Sequence, residues 1–335
     1  MKALVLREIG GPDNLSIETI ETPTPGKGQV RVKLEAAALN RRDVWITLGQ
    51  YPKITFPCVA GSDGAGIVDA VGENVSDALI GNEVVIYPAL DWGEDPLCGG
   101  KEFRVLGMPD QGTFAEYICV PAESISAKPK HLSWAEAAAI PLAGLTAWRA
   151  VVTHGEVKAG QKVLVTGIGG GAAGFALRWA LAKGAEVVCT SSSQDKIEAA
   201  CRLGARDGYD YTDVNWVKQL KAEVGSVDLV IDSAGGDGMP KVLDSLKNGG
   251  RYVFFGATRG NCSSGLNMAK LFFKQIRIQG TTMGMPGEFK EMMDFVSENK
   301  IRPVIDSVYA FADGITAHQR MLDSEQMGKL VITFD

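Results

Sequence analysis

The stretch 162–183 constrains the fold of this chain more than any other. Lys162-Val163-Leu164-Val165-Thr166 is an apolar strand that runs straight into Gly167-Ile168-Gly169-Gly170-Gly171-Ala172-Ala173-Gly174. A helical segment follows through Lys183, then a second strand, Ala185-Glu186-Val187-Val188-Cys189-Thr190. Asp228-Leu229-Val230-Ile231-Asp232 and Arg251-Tyr252-Val253-Phe254-Phe255-Gly256 are later apolar strands, and Ile276-Arg277-Ile278-Gln279-Gly280 reads as the last of the series. Continuously apolar strands alternating with helices demand a parallel sheet covered on both faces. The glycine turn is also a site. Glycines there let the backbone approach a pyrophosphate, whose charge rests on amides at the helix N-terminus. Two registers fit, Gly169-x-Gly171-x-x-Gly174 and Gly167-x-Gly169-x-x-Ala172, so Gly167, Gly169, Gly170, Gly171 and Ala173 are all cofactor-binding candidates, with Gly256 at a later strand end.

The end of the second strand bears on which dinucleotide is bound. A site for NAD carries Asp or Glu about 20 residues after the turn to hold the ribose 2′-hydroxyl. Here Cys189-Thr190-Ser191-Ser192-Ser193-Gln194-Asp195-Lys196 offers hydroxyls and an ammonium, which suit a 2′-phosphate. Ser191, Ser192 and Lys196 are therefore candidates for binding NADPH, although Lys196 also suits a solvated helix face. Asp195 lies beyond the strand end and reads as a cap of the next helix.

At 335 residues the chain has room for two domains of about 100–200 residues each. Residues 1–130 read as a β-rich domain of short strands between Gly, Asn and Pro punctuation, among them Val30-Arg31-Val32-Lys33-Leu34 and Phe114-Ala115-Glu116-Tyr117-Ile118-Cys119-Val120. Ser133-Trp134-Ala135-Glu136 is a capping box that opens an Ala-rich helix. The nucleotide-binding domain is expected at 131–284. The tail 285–335, with a helix at 288–299 and a strand Lys329-Leu330-Val331-Ile332-Thr333, is expected to return to the first domain. A net charge of −6, from 34 basic and 40 acidic residues, disfavours nucleic acid and anionic membranes as partners. The best membrane-span candidate, 134–152, is broken by Glu136, Pro141 and Arg149. Six dispersed cysteines without a C-x-x-C pair fit a reduced, cytoplasmic setting.

Several ordered motifs then give the chain a resemblance over essentially its whole length. They are Ala60-Gly61-Ser62-Asp63-Gly64-Ala65-Gly66-Ile67-Val68, Gly112-Thr113-Phe114-Ala115-Glu116-Tyr117, Pro141-Leu142-Ala143-Gly144-Leu145-Thr146-Ala147, the glycine turn, and Gly328-Lys329-Leu330-Val331. With them the chain resembles the medium-chain dehydrogenase/reductase superfamily. That resemblance implies an α/β protein: a doubly wound Rossmann domain plus a β-rich GroES-like catalytic domain. Zinc members carry Cys where this chain has Asn40, Gly-His-Glu where it has Gly61-Ser62-Asp63, and a further Cys aligned with Leu142. Zinc takes thiolate, imidazole or carboxylate ligands. Neither Asn40 nor Leu142 offers one, and the region 88–112 keeps only Cys98 of a four-cysteine zinc lobe. The chain is therefore similar to the zinc-free, quinone-oxidoreductase-like branch, even though sequences of this kind are often labelled zinc-type.

Oxidising a simple alcohol means removing a proton of pKa about 16, a task for a Lewis acid. Hydride delivery to a quinone or an α,β-unsaturated carbonyl instead develops an anionic oxygen that hydrogen-bond donors can hold. The expectation is an NADPH-dependent reductase of such substrates. The resemblance implies catalytic roles for Asn40 and Tyr51 beside nicotinamide and substrate, a contact from Thr146 to the nicotinamide amide, Tyr211 near the adenosine phosphate, and a homodimer. The plainer alternatives are that Asn40 caps a turn, Tyr51 packs in a loop, and Thr146 is an ordinary helix residue. Asp43 reads as a cap, and His131, His154 and His318 match no catalytic position. Trp92, Phe103 and Met108 either line a pocket or anchor a loop. The competing functions are a zinc-dependent alcohol dehydrogenase, a non-catalytic NADPH-binding sensor or structural protein, and an acyl-thioester enoyl reductase.

Overall fold

Residues 1–334 are described by a computed structural model. The chain divides into two units, residues 146–283 and residues 1–145 together with the chain from 284 onward. The first unit thus reaches 15 residues past the expected boundary at 130. The reason is packing, because the helix Trp134–Ala138 lies against the strands Gln29–Ala38 and Asp63–Val71 of that unit. This helix has the expected capping box, with Ser133 Oγ accepting from Glu136 N–H and the Glu136 carboxylate from Ser133 N–H. It is shorter than the Ala-rich stretch suggested. A new helix, Pro141–Trp148, begins at a proline, which has no N–H to continue the first.

The unit 146–283 holds a six-stranded parallel sheet. Its spatial order is Asp207–Asp210, Glu186–Ser191, Lys162–Val165, Val227–Asp232, Leu246–Phe254, Arg277–Gly280. Chain order runs outward both ways from Lys162–Val165, the doubly wound Rossmann arrangement, and the direction switches between Lys162–Val165 and Val227–Asp232. Leu164, Val188 and Val230 pack with Trp216, Leu220 and Tyr252 in one buried cluster. Each such aliphatic side chain contributes about 1.5–3 kcal/mol when removed from water. Arg277–Gly280 is the edge strand, and all four of its residues are exposed. Beside it the helix Met268–Lys274 presents Phe272 at 64% and Phe273 at 76% exposure.

The other unit is β-rich. Its larger sheet runs Ile125–Ala127, Glu83–Ile86, Asp63–Val71, Gln29–Ala38, Lys329–Thr333, Ile305–Ala310, with Tyr117–Pro121 also paired to Gln29–Ala38. The C-terminal strand does return to this unit, with Val331 opposite Ala38 and Thr333 opposite Ala36. The strand expected from Phe114 starts only at Tyr117. Phe114 and Ala115 cross to a smaller sheet, where Leu4 N–H donates to Phe114 O at 2.8 Å and Ala3 bridges Ala115. The Phe114 side chain fills the core edge-on to His318, with ring centroids 5.1 Å apart. Trp92 and Phe103 meet edge-on at 5.0 Å, and Trp92 Nε1–H donates to Asp95 O, so this pair anchors the long loop. Among the described residues no helix is long and apolar enough to cross a membrane.

Candidate active site

Asn40 precedes the helix Arg41–Thr47 at its N-cap position, where an Asn side chain ordinarily bonds the helix amides. In this chain the roles are exchanged. Asp43 Oδ2 accepts from Asn40 N–H at 2.7 Å, and the Asn40 amide turns instead to a buried ion pair. Lys329 Nζ donates to Asn40 Oδ1 at 2.7 Å, to Asp63 Oδ2 at 2.8 Å and to Leu39 O at 2.7 Å. Asn40 Nδ2–H donates to the same Asp63 oxygen at 2.9 Å. Only one orientation of the amide satisfies both an ammonium and a carboxylate, so its oxygen faces Lys329 and its NH2 faces Asp63. The second N–H of Asn40 has no partner among the described residues. Asn40 itself is 7% exposed, and Lys329 is 2% exposed.

Asp63 begins the strand Asp63–Val71, and its other oxygen accepts from Leu142 N–H at 2.6 Å. Leu142, the position aligned with a zinc-binding Cys, thus contributes through its backbone. Ser62 Oγ–H donates to Leu106 O at 2.7 Å and accepts from Arg42 Nη1–H. Arg42 Nε–H donates to Tyr51 OH at 3.2 Å, and the guanidinium lies 4.7 Å from the centre of the Tyr51 ring. The structure therefore groups Asn40 and Tyr51 with Arg42, Ser62, Asp63 and Lys329. Burial pushes the Asp43 carboxyl up to about 6, partly offset by the charge of Arg42. It likewise pushes the Cys58 thiol up to about 12.

In the other unit the glycine cluster joins the strand Lys162–Val165 to the helix Gly171–Ala182. Gly167 alone of the cluster has a positive φ, +61°, one residue beyond the strand Lys162–Val165. The helix Gly171–Ala182 then starts with Gly170 as N-cap and no side-chain cap, leaving the first amides open to an anion. A Cβ on the buried Gly174 would meet no neighbour within 4 Å, whereas Gly167 is the position whose backbone requires glycine. A Cβ on Gly256 would meet Ser233 O at 2.6 Å. Asp232 joins three strand ends: it accepts from Thr166 Oγ1–H, Tyr252 O–H, Ala234 N–H and Gly235 N–H. Burial beside that carboxylate raises the Tyr252 phenol well above its usual range.

Ser191 ends its strand, and its Oγ accepts from Ser193 N–H at 3.1 Å. Ser193, not Asp195, caps the helix Gln194–Arg202, because its Oγ reaches Lys196 N–H while Asp195 lies in the first turn. Tyr211 O–H donates to Ser192 Oγ at 2.9 Å, and Arg259 Nη2–H donates to Tyr211 OH at 3.0 Å. The Arg259 guanidinium also stacks 5.0 Å from the centre of the Tyr211 ring. Thr146 Oγ1 lies 3.8 Å from Met283 Sδ. The open helix terminus and the close-approach glycines suit a dinucleotide, and the Ser–Tyr–Arg group lies at the adjacent strand ends.

Residues 26–130 match the family described as alcohol dehydrogenase GroES-like domain, and residues 171–298 match zinc-binding dehydrogenase. The chain is 38% identical to the zinc-type alcohol dehydrogenase-like protein YogA of Leptosphaeria maculans, over 95% of this chain and 94% of that one. The chain belongs to the medium-chain dehydrogenase/reductase superfamily, in its quinone-oxidoreductase-like branch. Crotonyl-CoA carboxylase/reductase of Cereibacter sphaeroides is 30% identical over 93% of this chain and 82% of its own length. Human quinone oxidoreductase is 28% identical, over 99% and 97%. The crystal structure of an NAD-dependent alcohol dehydrogenase superposes with a TM-score of 0.94 at 38% identity, covering 100% of both chains. Crotonyl-CoA carboxylase/reductase AntE in complex with NADP superposes at 0.89 with 26% identity, over 99% and 94%.

As a member of this superfamily the protein is a nicotinamide-dependent oxidoreductase. Five residues of its two clusters lie outside the sequence-derived candidates: Arg42, Ser62, Asp63, Lys329 and Arg259. Asp63 and Lys329 stand within recognisable motifs, Gly61-Ser62-Asp63 and Gly328-Lys329-Leu330-Val331, but nothing in either motif says that they meet. Arg259 follows a strand end by several residues and carries no local signal.

Proposed function

We propose that the protein reduces a quinone or an α,β-unsaturated carbonyl with NADPH, by hydride transfer without a metal. The observation that carries this reading is the Asn40 amide, held by Lys329 and Asp63 with one N–H to spare. Such a pre-oriented donor stabilises oxygen charge that develops during reaction, and needs no reorganisation to do so. NADPH, when bound, supplies the hydride. Asn40 then holds the substrate oxygen, and Tyr51 offers an O–H to the same charge.

The donor set does not suit zinc. Asn40 and Ser62 are neutral, Asp63 is saturated by Lys329, Asn40 and Leu142 N–H, and the Arg42 and Lys329 cations stand among them. A divalent cation would meet two positive charges and no thiolate or imidazole. NADPH is favoured over NADH by Ser192, Tyr211 and Arg259, with no carboxylate at the strand end where the ribose 2′-position is read. The NADP complex of AntE agrees with this reading, while another neighbour is described as NAD-dependent. An α,β-unsaturated acyl thioester is a second substrate reading, favoured by the names of the crotonyl-CoA and acryloyl-CoA reductase relatives. The protein is further proposed to be a cytoplasmic homodimer, joined through the exposed edge strand Arg277–Gly280 and the Phe272–Phe273 pair.

The test is a panel of quinones, enones, enoyl thioesters and ketones, run with NADPH and NADH, with and without chelator, and followed by nicotinamide absorbance. NADPH oxidation by quinones or enones that ignores the chelator is expected. Chelator-sensitive turnover of ketones would instead indicate the zinc alcohol dehydrogenase. Tight NADPH binding without turnover of any acceptor would indicate a sensor. Within the active panel, Asn40→Ala is expected to lower kcat by about 10²-fold while NADPH binding stays unchanged.

A further inference from the structure

Arg42 is a buried guanidinium, 7% exposed, whose hydrogen bonds all go to neutral acceptors: Tyr51 OH, Ser62 Oγ, Leu106 O at 2.7 Å and Met108 O at 3.3 Å. Holding a cation out of water in this way is costly, and packing alone does not need it. No neighbouring carboxylate hydrogen-bonds Arg42 among the described residues, and Asp43 Oδ1 is buried without a hydrogen-bond partner. Lys329 is bound to Asp63, and Asp43 Oδ2 accepts from Asn40 N–H. Asp43 acts on Arg42 through space without a hydrogen bond to it.

The direction of the protons follows from these bonds. Ser62 gives its hydrogen to Leu106 O, so it receives one from Arg42. Arg42 Nε–H occupies a lone pair of the Tyr51 oxygen, which leaves the phenol hydrogen to be donated elsewhere. Tyr51 thereby has its hydrogen free to donate at the site, with one lone pair already taken by Arg42. Ser62 and Asp63 are consecutive, so the Arg42–Tyr51 arm and the Lys329–Asn40 arm leave neighbouring positions of one segment.

We propose that Arg42 is the positioning residue of this site: it holds Tyr51 as a hydrogen-bond donor and supplies the fixed positive charge that selects substrates whose oxygen becomes anionic on reduction. The proposal rests on the reductase reading above and extends it to the charge of the product. A phenolate or an enolate is held more tightly than the neutral carbonyl or phenol of the same shape.

The experiment separates this proposal from that reading by using 4-nitrophenol, whose ionisation is read spectroscopically without turnover. Bound to the wild-type protein, it is expected to ionise about one pH unit lower than it does free, a tenfold preference for the phenolate. In Arg42→Met the bound probe is expected to ionise as it does free. In Arg42→Lys the charge survives but the planar fork on Tyr51 is lost. That variant is expected to keep most of the ionisation shift and to lose about tenfold in kcat with 1,2-naphthoquinone at nearly constant KM, as Tyr51→Phe does. Should Arg42→Met fail to fold, Arg42→Lys carries the test through this split between ionisation and kcat. No binding of the probe to the wild type, an unshifted probe, or wild-type kcat in Arg42→Lys would each overturn the proposal. A shifted probe on a protein that reduces no quinone or enone would leave the anion-selecting role of Arg42 standing and overturn the reductase reading instead.

Discussion

Lys329 and Asp63 form an ion pair with almost no exposure to solvent, so its strength lies in completeness. All three ammonium hydrogens and both carboxylate oxygens are engaged. Removing one partner strands a buried charge, which costs about 3–5 kcal/mol. Lys329→Met is therefore expected to lower the denaturant midpoint sharply, and adding Asp63→Asn to recover part of the loss, as read in urea titrations of the three variants. Recovery in stability without recovery of kcat would show that the pair serves Asn40 as well as the fold. His318 provides the pH-dependent counterpart. It is fully buried, its Nδ1 lies 2.7 Å from Gly314 O, and burial lowers its pKa from 6.5 to about 4. The folded state holds the ring neutral, so protons favour the unfolded chain. The contribution is complete above pH 6.5 and is lost as pH falls toward 4, by about 3 kcal/mol from this group. In His318→Leu that part of the decline between pH 6.5 and 4 is expected to vanish from the urea midpoints.

At the scale of elements, the strand ends of the parallel sheet decide what the nucleotide-binding unit can hold. Glu186–Ser191 stops at a serine-rich turn, and Asp207–Asp210 leads directly into Tyr211. The parallel pairing of these two strands, Ser191 beside Asp210, brings Tyr211 to Ser192. Arg259 arrives from the turn beyond Leu246–Phe254, donates to the same phenol oxygen and stacks on the ring. A guanidinium stacked on an aromatic ring beside hydroxyls suits a phosphate more than a bare ribose hydroxyl. Arg259→Ala is expected to weaken NADPH binding about tenfold and to leave NADH binding nearly unchanged, measured by fluorescence titration with each cofactor. Equal weakening of both would assign Arg259 to the shared part of the dinucleotide.

For the whole molecule, the feature that calls for a partner is the edge of the parallel sheet. Arg277–Gly280 leaves one side of its backbone unpaired, and Met268, Phe272 and Phe273 stand exposed on the preceding helix. An open edge of this kind is a template for pairing with another chain, and exposed aromatics beside it add apolar area to such a contact. A second copy joined edge to edge satisfies both. Phe273→Glu places charge at the centre of that contact and is expected to shift sedimentation from dimer to monomer, with the thermal midpoint becoming concentration-dependent in the wild type alone. A wild-type chain that sediments as a monomer at all concentrations would remove this assembly.

Periodicity and punctuation alone determined the order of strands and helices, the parallel sheet, the glycine turn and the return of the last strand. Each of these depends on residues close together in the chain: Val163, Leu164 and Val165 need cover on both faces, and Gly167 needs a left-handed turn wherever the rest folds. The candidates Asn40 and Tyr51 entered through family resemblance, which carried no sight of their surroundings. Tertiary structure decided those surroundings. Lys329 lies 289 positions from Asn40 and reaches it only because Lys329–Thr333 pairs antiparallel with Gln29–Ala38. Arg42 reads in sequence as one of two adjacent arginines on a short helix. Folding sends Arg41 to Met321 O and Ser324 Oγ, and buries Arg42 on Tyr51 and Ser62. Local sequence fixes which face of an element a residue occupies, but long-range pairing chooses its partners, and a buried charge takes its chemistry from them.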